Sequence, residues 1–399
     1  MSSQISQISQ ISQVSLARIR RPGSNARGAI IMTEREDRLL ELLILVGYSI
    51  VFPVNLAQRI GGHPDWNRHV MYGAIRNEYV VKYRAEENKH VIRYLRLTPK
   101  GFDYIATRDP RALGMIFSRM DSVPPIYPSE LDRVQRMNAI AVGLIMSRNA
   151  GAIILPVLKP SLMCPLSGYP GEITPDPNTL YYYSPPELRT ALEAADDQTV
   201  YKGSRNIGII VRGHRCYFLY FTGRSRMYWM KDTEENYTGS VQTLLNSRGF
   251  HITTIEQIII GSSMNVAAKV CRGPQGLKRD HYFVVSHDFN SCCYVTNNAD
   301  GDALLRLIVN PDLAMKLNRR VLAPYKPPEV NTREYDAVES SSNRPVILNY
   351  TCDLIQILFA GSAPIGFEGG SIMLCFDYQA QVIQRILGPS VEVRPITED

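Results

Sequence analysis

The stretch from residue 34 to residue 107 constrains the fold most, because its apolar spacing passes from the helical period to strand alternation and back. Glu34 to Ile50 places Leu39, Leu40, Leu42, Leu43, Val46 and Ile50 near the helical period. Phe52-Pro53 stops that helix, and Val54 to Ile60 predicts a short second one ended by Gly61-Gly62. Asp65 is the expected cap of a third helix running to about Glu78. Val80 to Arg84 and Val91 to Leu97 predict two strands around the polar turn Ala85 to His90. Thr98-Pro99-Lys100-Gly101 then opens another helix, with Thr98 as N-cap and Pro99 at the first helical position.

The order helix, helix, helix, hairpin, helix is that of a winged helix-turn-helix, a layout used mostly to hold double-stranded DNA. The third helix supplies Trp66, Asn67, Arg68, His69, Tyr72 and Arg76 as candidate DNA-contacting residues. Arg and Asn have the donor geometry to read guanine and adenine edges in a major groove. Lys82, Arg84, Lys89, His90 and Arg93 on or beside the wing are the candidates for phosphate, which sets register without reading bases. Tyr83 and Tyr94 are expected to pack on the helices. The alternative for the third helix is a polar face that only keeps a protein-binding module in solution.

Charge distribution supports the DNA reading more than net charge does. The chain of 399 residues carries +6. Its first 31 residues hold Arg18, Arg20, Arg21 and Arg27 and no acid, and Lys82 to Lys100 holds six Lys or Arg against two Glu. A local basic surface follows, on a protein otherwise near neutral. No apolar run has the length of a membrane span, so no membrane partner is expected. Seven scattered cysteines without a CxxC pair point to reduced, mostly buried thiols in a cytoplasmic protein, and argue against zinc.

The expected domains are 1–31, a low-complexity basic leader built on Ser-Gln-Ile repeats; 32–112, the winged helix; 113–128, a linker; 129–325, an α/β domain; 326–343, a polar loop; and 344–399, a strand-helix extension of the α/β domain. Met32 is a candidate initiator alongside Met1. Ser129 to Asn149 reads as an amphipathic helix of the second domain, packed on a first strand from Ala152 to Val157. Asn206 to Val211 and Cys216 to Thr222 predict a hairpin, and Gln257 to Ile260, His281 to Ser286 and Ser291 to Thr296 predict further strands. Val346 to Tyr350, Leu354 to Phe359 and Ser371 to Phe376 close the chain as apolar strand candidates before a helix near Tyr378 to Leu387. The fold class is α/β (α+β) with a mixed sheet.

Several stretches resemble the replication-relaxation proteins and the related MobC-type relaxosome accessory proteins of Gram-positive plasmids and conjugative elements. They are Leu97-Thr98-Pro99-Lys100-Gly101, the helix from Arg133 to Gly151 leading into Ala152 to Pro160, and Tyr181-Tyr182-Tyr183-Ser184 with Glu187-Leu188. Gly203-Ser204-Arg205-Asn206-Ile207-Gly208-Ile209-Ile210 and Tyr217 to Gly223 complete the set. The resemblance covers residues 32 to 260. It implies a second domain like a degenerate PD-(D/E)xK nuclease fold, and a DNA-binding accessory protein that assists a relaxase or replication protein near its origin.

A working nuclease would need clustered carboxylates for Mg²⁺ and a lysine. Asp176 and Glu187 precede the hairpin, but Phe221-Thr222-Gly223-Arg224 stands where an acid-x-Lys is needed. No catalytic residue, metal site or cofactor is therefore assigned. The expectation is a non-catalytic partner of duplex DNA and of a relaxase or replication protein, with a homodimer compatible with symmetric half-sites. The rivals are a winged-helix transcriptional regulator with a ligand-sensing α/β domain, and a metal-dependent nuclease.

Overall fold

A computed structural model describes residues 34–87, 90–121, 123, 125–163, 173–195, 204–223, 227–273, 282–285, 290–328, 335–360 and 370–396. The chain is mixed α/β and divides into two compact units. Unit 1 takes the described residues to Gly151 with Leu155–Leu158, and unit 2 takes Ala152–Ile154 and the described residues from Lys159 onward. No helix among the described residues is long and apolar enough to cross a membrane.

In unit 1, α1 (Glu34–Ser49) buries Leu42, Leu43, Leu45 and Val46. The two-residue strand β1 (Phe52–Pro53) leads into a 3-10 helix over Val54–Arg59. The sequence predicts an ordinary helix there, but six residues without a side-chain cap settle as the tighter form, which suits short pieces. Next come α2 (Pro64–Arg76), β2 (Val80–Glu87), β3 (His90–Leu97) and α3 (Pro99–Arg108). The sheet order is β1-β3-β2, antiparallel throughout. The start of α3 shows why the Thr98 to Gly101 sequence is needed. Thr98 Oγ1 accepts from the Gly101 amide at 3.2 Å and donates to the Glu78 carbonyl at 2.5 Å. A Cβ on Gly101 would stand 2.2 Å from the Tyr79 carbonyl oxygen, so only glycine lets the helix approach the strand this closely.

Two boundaries differ from the sequence expectation. The supposed linker contains α4 (Pro110–Asp121), whose first turn is capped by Asp109 Oδ1 accepting from the Ala112 amide at 3.0 Å. It packs on α1 and α3 and buries Ala112, Ile116 and Arg119. The helix expected to open the second domain, α5 (Leu131–Asn149), belongs to unit 1, where it packs on α1, β1 and β2. Ala139 to Ser147 are buried without a break, so the second half of the helix is enclosed on all sides, while the first half keeps Asp132 and Gln135 exposed. Its end is tied down by Asn149 Nδ2 donating to the Arg59 carbonyl at 2.9 Å and by an Arg148–Glu41 ion pair. Glu41 also pairs with Arg38 at 2.9 Å, and burial, with Arg38 adding repulsion, lowers the Arg148 guanidinium to about 10.

Unit 2 holds two sheets. The larger has the order β4-β5-β6-β7-β8, formed by Tyr181–Tyr183, Asn206–Arg212, Arg215–Gly223, Thr254–Gly261 and Cys292–Thr296. β4, β5 and β6 form an antiparallel meander, and β7 and β8 continue parallel to β6. Helix α6 (Pro185–Ala194) follows β4, and α7 (Lys231–Ser247) and α8 (Met264–Cys271) make the parallel crossovers. α9 (Ala299–Ile308) and α10 (Pro311–Leu322) follow β8. The tyrosine-rich β4 is fixed through Gly208, whose φ is +138° and whose added Cβ would lie 2.3 Å from the Tyr182 ring. Tyr182 in turn donates its hydroxyl to the Ile207 carbonyl at 2.8 Å.

The smaller sheet has the order β12-β11-β10-β9, from Val391–Ile396, Ser371–Phe376, Pro345–Leu348 and Ala337–Val338. The last part of the chain is thus a sheet in its own right, and β9 draws part of the expected polar loop into it. Leu354 to Phe359, a strand candidate by composition, is helix α11 (Leu354–Ala360). β10 and β11 are parallel, so the chain between them must cross over, and α11 is that crossover. α12 (Asp377–Leu387) serves β11 and β12 in the same way. The two sheets share one apolar core and meet where the Tyr294 amide donates to the Cys352 carbonyl at 3.0 Å. Ala152 to Val157 is not a strand; only Ile153 bridges Tyr181. In the expected strand from His281 to Ser286, only Tyr282 pairs, as an isolated bridge to Tyr228; positions 281 and 286 lie outside the described residues.

Candidate nucleic-acid interface

Helix α2 sorts its side chains cleanly. At about 100° per residue and with Trp66 as zero, Asn67, Val70, Met71 and Ala74 fall at about 40–140°. Those four are the buried residues of the helix. Arg68, His69, Tyr72 and Arg76 fall at about 200–300° on the same wheel, and all four are exposed. Trp66, on the flank, is 43% exposed and Tyr72 is 54% exposed. The helix begins two residues earlier than a cap at Asp65 predicts. His63 caps it through Nδ1, which accepts from the Asp65 amide at 3.2 Å.

Asn67 is the correction among the expected contacts. It is fully buried, and its Nδ2 donates to the Gly61 carbonyl at 2.6 Å and to the Gln58 carbonyl at 3.4 Å. The amide therefore ties the Gly61-Gly62 turn to α2 and faces away from any ligand. Arg68 has an exposed partner in Asp65 at 3.3 Å, a solvent-screened pair that leaves the guanidinium free to exchange.

The hairpin carries Lys82, Arg84 and Arg93 on one face. Lys82 and Arg84 alternate with Tyr83 and Ala85, and register puts Arg84 directly opposite Arg93. Lys82, Arg84 and Arg93 are exposed. Arg84 has an ion pair with Glu86 on its own strand, and no ion pair of Arg93 is found among the described residues. Like charges face to face across a ladder destabilise it unless an anion comes between them. On the other face Tyr83 stacks on buried Tyr94 at 5.6 Å, and burial raises the Tyr94 hydroxyl above its ordinary value. Both tyrosines are thereby packing residues. Arg96 is also held inward, with Nη1 donating to the Ile126 carbonyl at 3.1 Å. Lys89 and the side chain of His90 lie outside the described residues.

The carboxylates of unit 2 are committed to local structure. Asp176 accepts from the hydroxyl of Thr179 at 2.5 Å and the amide of Asn178 at 3.0 Å, which hold its pKa below the ordinary carboxylate value. Glu187 Oε2 accepts from the Ser184 amide at 2.8 Å and hydroxyl at 2.7 Å, closing a capping box at the start of α6. Its Oε1 sits 2.7 Å from Lys159 Nζ, a buried ammonium that also donates to the carbonyls of Ile154 and Tyr182. No local pattern points to Lys159, since Tyr182 and its counter-charge Glu187 lie 23 and 28 residues away. Among the described residues no three His, Cys, Asp or Glu side chains are grouped to hold a metal. The six described cysteines are free thiols, and burial raises them above the ordinary range.

Compared with known families, curated proteins and solved structures, the chain finds no match.

Proposed function

We propose that unit 1 is a winged helix that binds duplex DNA, with α2 as the recognition helix and the β2–β3 hairpin as the wing. The observation that carries this reading is the division of α2: its buried face holds the fold, and Arg68, His69, Tyr72 and Arg76 are left together on the solvent face. The hairpin supports it, because Arg84 opposite Arg93 is an arrangement that phosphate would relieve. In this reading α2 enters the major groove and the hairpin grips the backbone.

The wider role we propose is that of a non-catalytic accessory protein of a mobile element. It docks on origin-proximal duplex and assists a relaxase or replication protein, as the resemblance to replication-relaxation and MobC-type proteins implies. The antiparallel meander extended by two parallel strands in unit 2 is compatible with the degenerate nuclease fold of that resemblance. Occupied carboxylates at Asp176 and Glu187 support a binding role over cleavage. The test is a titration of labelled duplexes with the wild-type chain and with Arg68→Ala, Arg76→Ala. Each lost base contact should cost about 1–3 kcal/mol and relax sequence preference at its position. Unchanged affinity and unchanged preference in the double variant would remove α2 from the recognition role.

A further inference from the structure

Helix α10 gathers three exposed cations, none of which has an ion pair among the described residues. Arg189 pairs with Glu193 on α6 and Lys231 pairs with Glu235 on α7. Arg215, Arg344 and Arg394 are likewise paired with glutamates. On α10, Lys316, Arg319 and Arg320 are exposed, and none has an ion pair among the described residues. Asp312, the one acid of the helix, is held by Arg212 at 3.2 Å. At about 100° per residue the three cations fall within about 100° of one another, so they share a face. Arg319 and Arg320 suit the negative end of the helix, but Lys316 lies before the last turn.

The face is presented firmly. Asn310 caps the helix, and Arg212 holds both Asp312 and the Val309 carbonyl at its start. Tyr350 donates its hydroxyl to Asn318 Oδ1 at 2.7 Å near its middle. Leu313, Leu317 and Val321 are half-buried, which leaves Met315 as the one exposed large apolar side chain of the helix. A helix that lies in a membrane surface needs an apolar face to insert, and the apolar residues of α10 other than Met315 are already half-covered by the fold.

We infer that this face is a second phosphate-contacting surface, which lets unit 2 hold the backbone of duplex DNA without reading its sequence. The inference rests on the DNA-binding function proposed above. Lys316 to Arg320 spans about 6 Å of helix axis, against about 3.4 Å of duplex axis per phosphate on one strand, so the three cations cover two phosphate steps.

The experiment is the salt dependence of duplex affinity for the full chain, between 50 and 200 mM salt. Lys316→Ala, Arg319→Ala, Arg320→Ala should lower the slope of log affinity against log salt by up to about 2.7. Over that fourfold range the wild-type affinity should then fall about 40-fold more than that of the variant. Arg319→Lys, Arg320→Lys should keep the wild-type slope, and circular dichroism should show the triple variant folded. A wild-type slope in the folded triple variant overturns this inference alone, while wild-type protein that binds no duplex at any salt overturns the DNA-binding function and this inference with it. Loss of binding to anionic phosphatidylserine vesicles or to polyglutamate in the triple variant, with duplex binding intact, also overturns it and assigns the face to those partners.

Discussion

Asn67→Ala separates scaffold from recognition within a single helix. The substitution removes a donor from two carbonyls, one at 2.6 Å and one at a marginal 3.4 Å. The short bond dominates, and leaving its buried carbonyl unpaired costs about 1–3 kcal/mol. Asn67 Oδ1 has no hydrogen-bond partner among the described residues, so losing it returns part of that. The net expectation is a destabilisation of unit 1 by about 2 kcal/mol, equivalent to roughly 8 °C in Tm for a unit of this size. Asn67→Leu fills the same space without the donor and should cost at least as much. The readout is built in, because Trp66 adjoins the site and the only other tryptophan, Trp229, lies in unit 2. In a Trp229→Phe background, fluorescence follows unit 1 alone. DNA affinity, measured well below the melting range, should stay within a factor of about two of the parent. Wild-type melting combined with lost affinity would refute the buried placement of Asn67 and return it to the reading face.

Neutralising Lys82, Arg84, Lys89 and Arg93 should lower the salt slope by about 0.9 for each that meets phosphate, without altering sequence preference; an unchanged slope means the hairpin does not touch the backbone. Replacing Arg93 alone should stabilise the free hairpin slightly, by about 0.2–1 kcal/mol, because it removes the repulsion across the ladder to Arg84 and breaks no ion pair found among the described residues; a lower Tm for that variant contradicts the argument. Acid should weaken unit 2 through Glu339, whose carboxyl is held down at about 2 by the Ser342 hydroxyl and then by Arg394. Its folded value lies below the ordinary 4.5, so the contribution is complete above that value and is lost as pH falls through about 2. Glu339→Gln should flatten the stability profile in that window, and an unaltered profile counts against the hold of Ser342 and Arg394 on Glu339. Glu187→Ala should cost about 3 kcal/mol or more by leaving Lys159 buried beside no counter-charge, whereas Glu187→Gln with Lys159→Met should recover most of it; a stable single variant would free Glu187 for another role.

Local rules made much of unit 1 legible. The stop at Pro53, the cap at Thr98 and the alternation of Val80 to Arg84 each act over a few residues, and each element appears where those rules put it. Asn67 was legible too, since its wheel position lies between Ala74 and Met71, in the middle of the buried face. Polar chemistry argued for the outside and helical geometry for the inside, and geometry won because the Gly61 and Gln58 carbonyls need a donor. The boundary at α5 was harder. A helix whose second half is covered all round looks amphipathic when only its largest residues are followed, and Ala139, Ala141 and Gly143 carry the rest of the burial there.

In unit 2 the local signals compete with topology. Leu354 to Phe359 has the composition of a buried strand, and nothing within those six residues excludes one. The exclusion comes from β10 and β11, which pair in parallel and cannot be joined by a tight turn. The same distance problem governs the site chemistry. Glu187 stands three residues after Ser184, so its capping role can be read along the chain, but the ammonium of Lys159 reaches it from 28 residues upstream. With Ser184 on one oxygen and Lys159 on the other, Glu187 has its strongest lone pairs taken. A Mg²⁺ ion would have to displace a buried ammonium and open a helix cap to reach them. Adding Mg²⁺ or Mn²⁺ should therefore leave the Tm of unit 2 where it was, read from Trp229 fluorescence in a Trp66→Phe background. A metal-dependent rise in that Tm that vanishes in Asp176→Ala would show that the two carboxylates do meet on an ion, and would put cleavage ahead of binding.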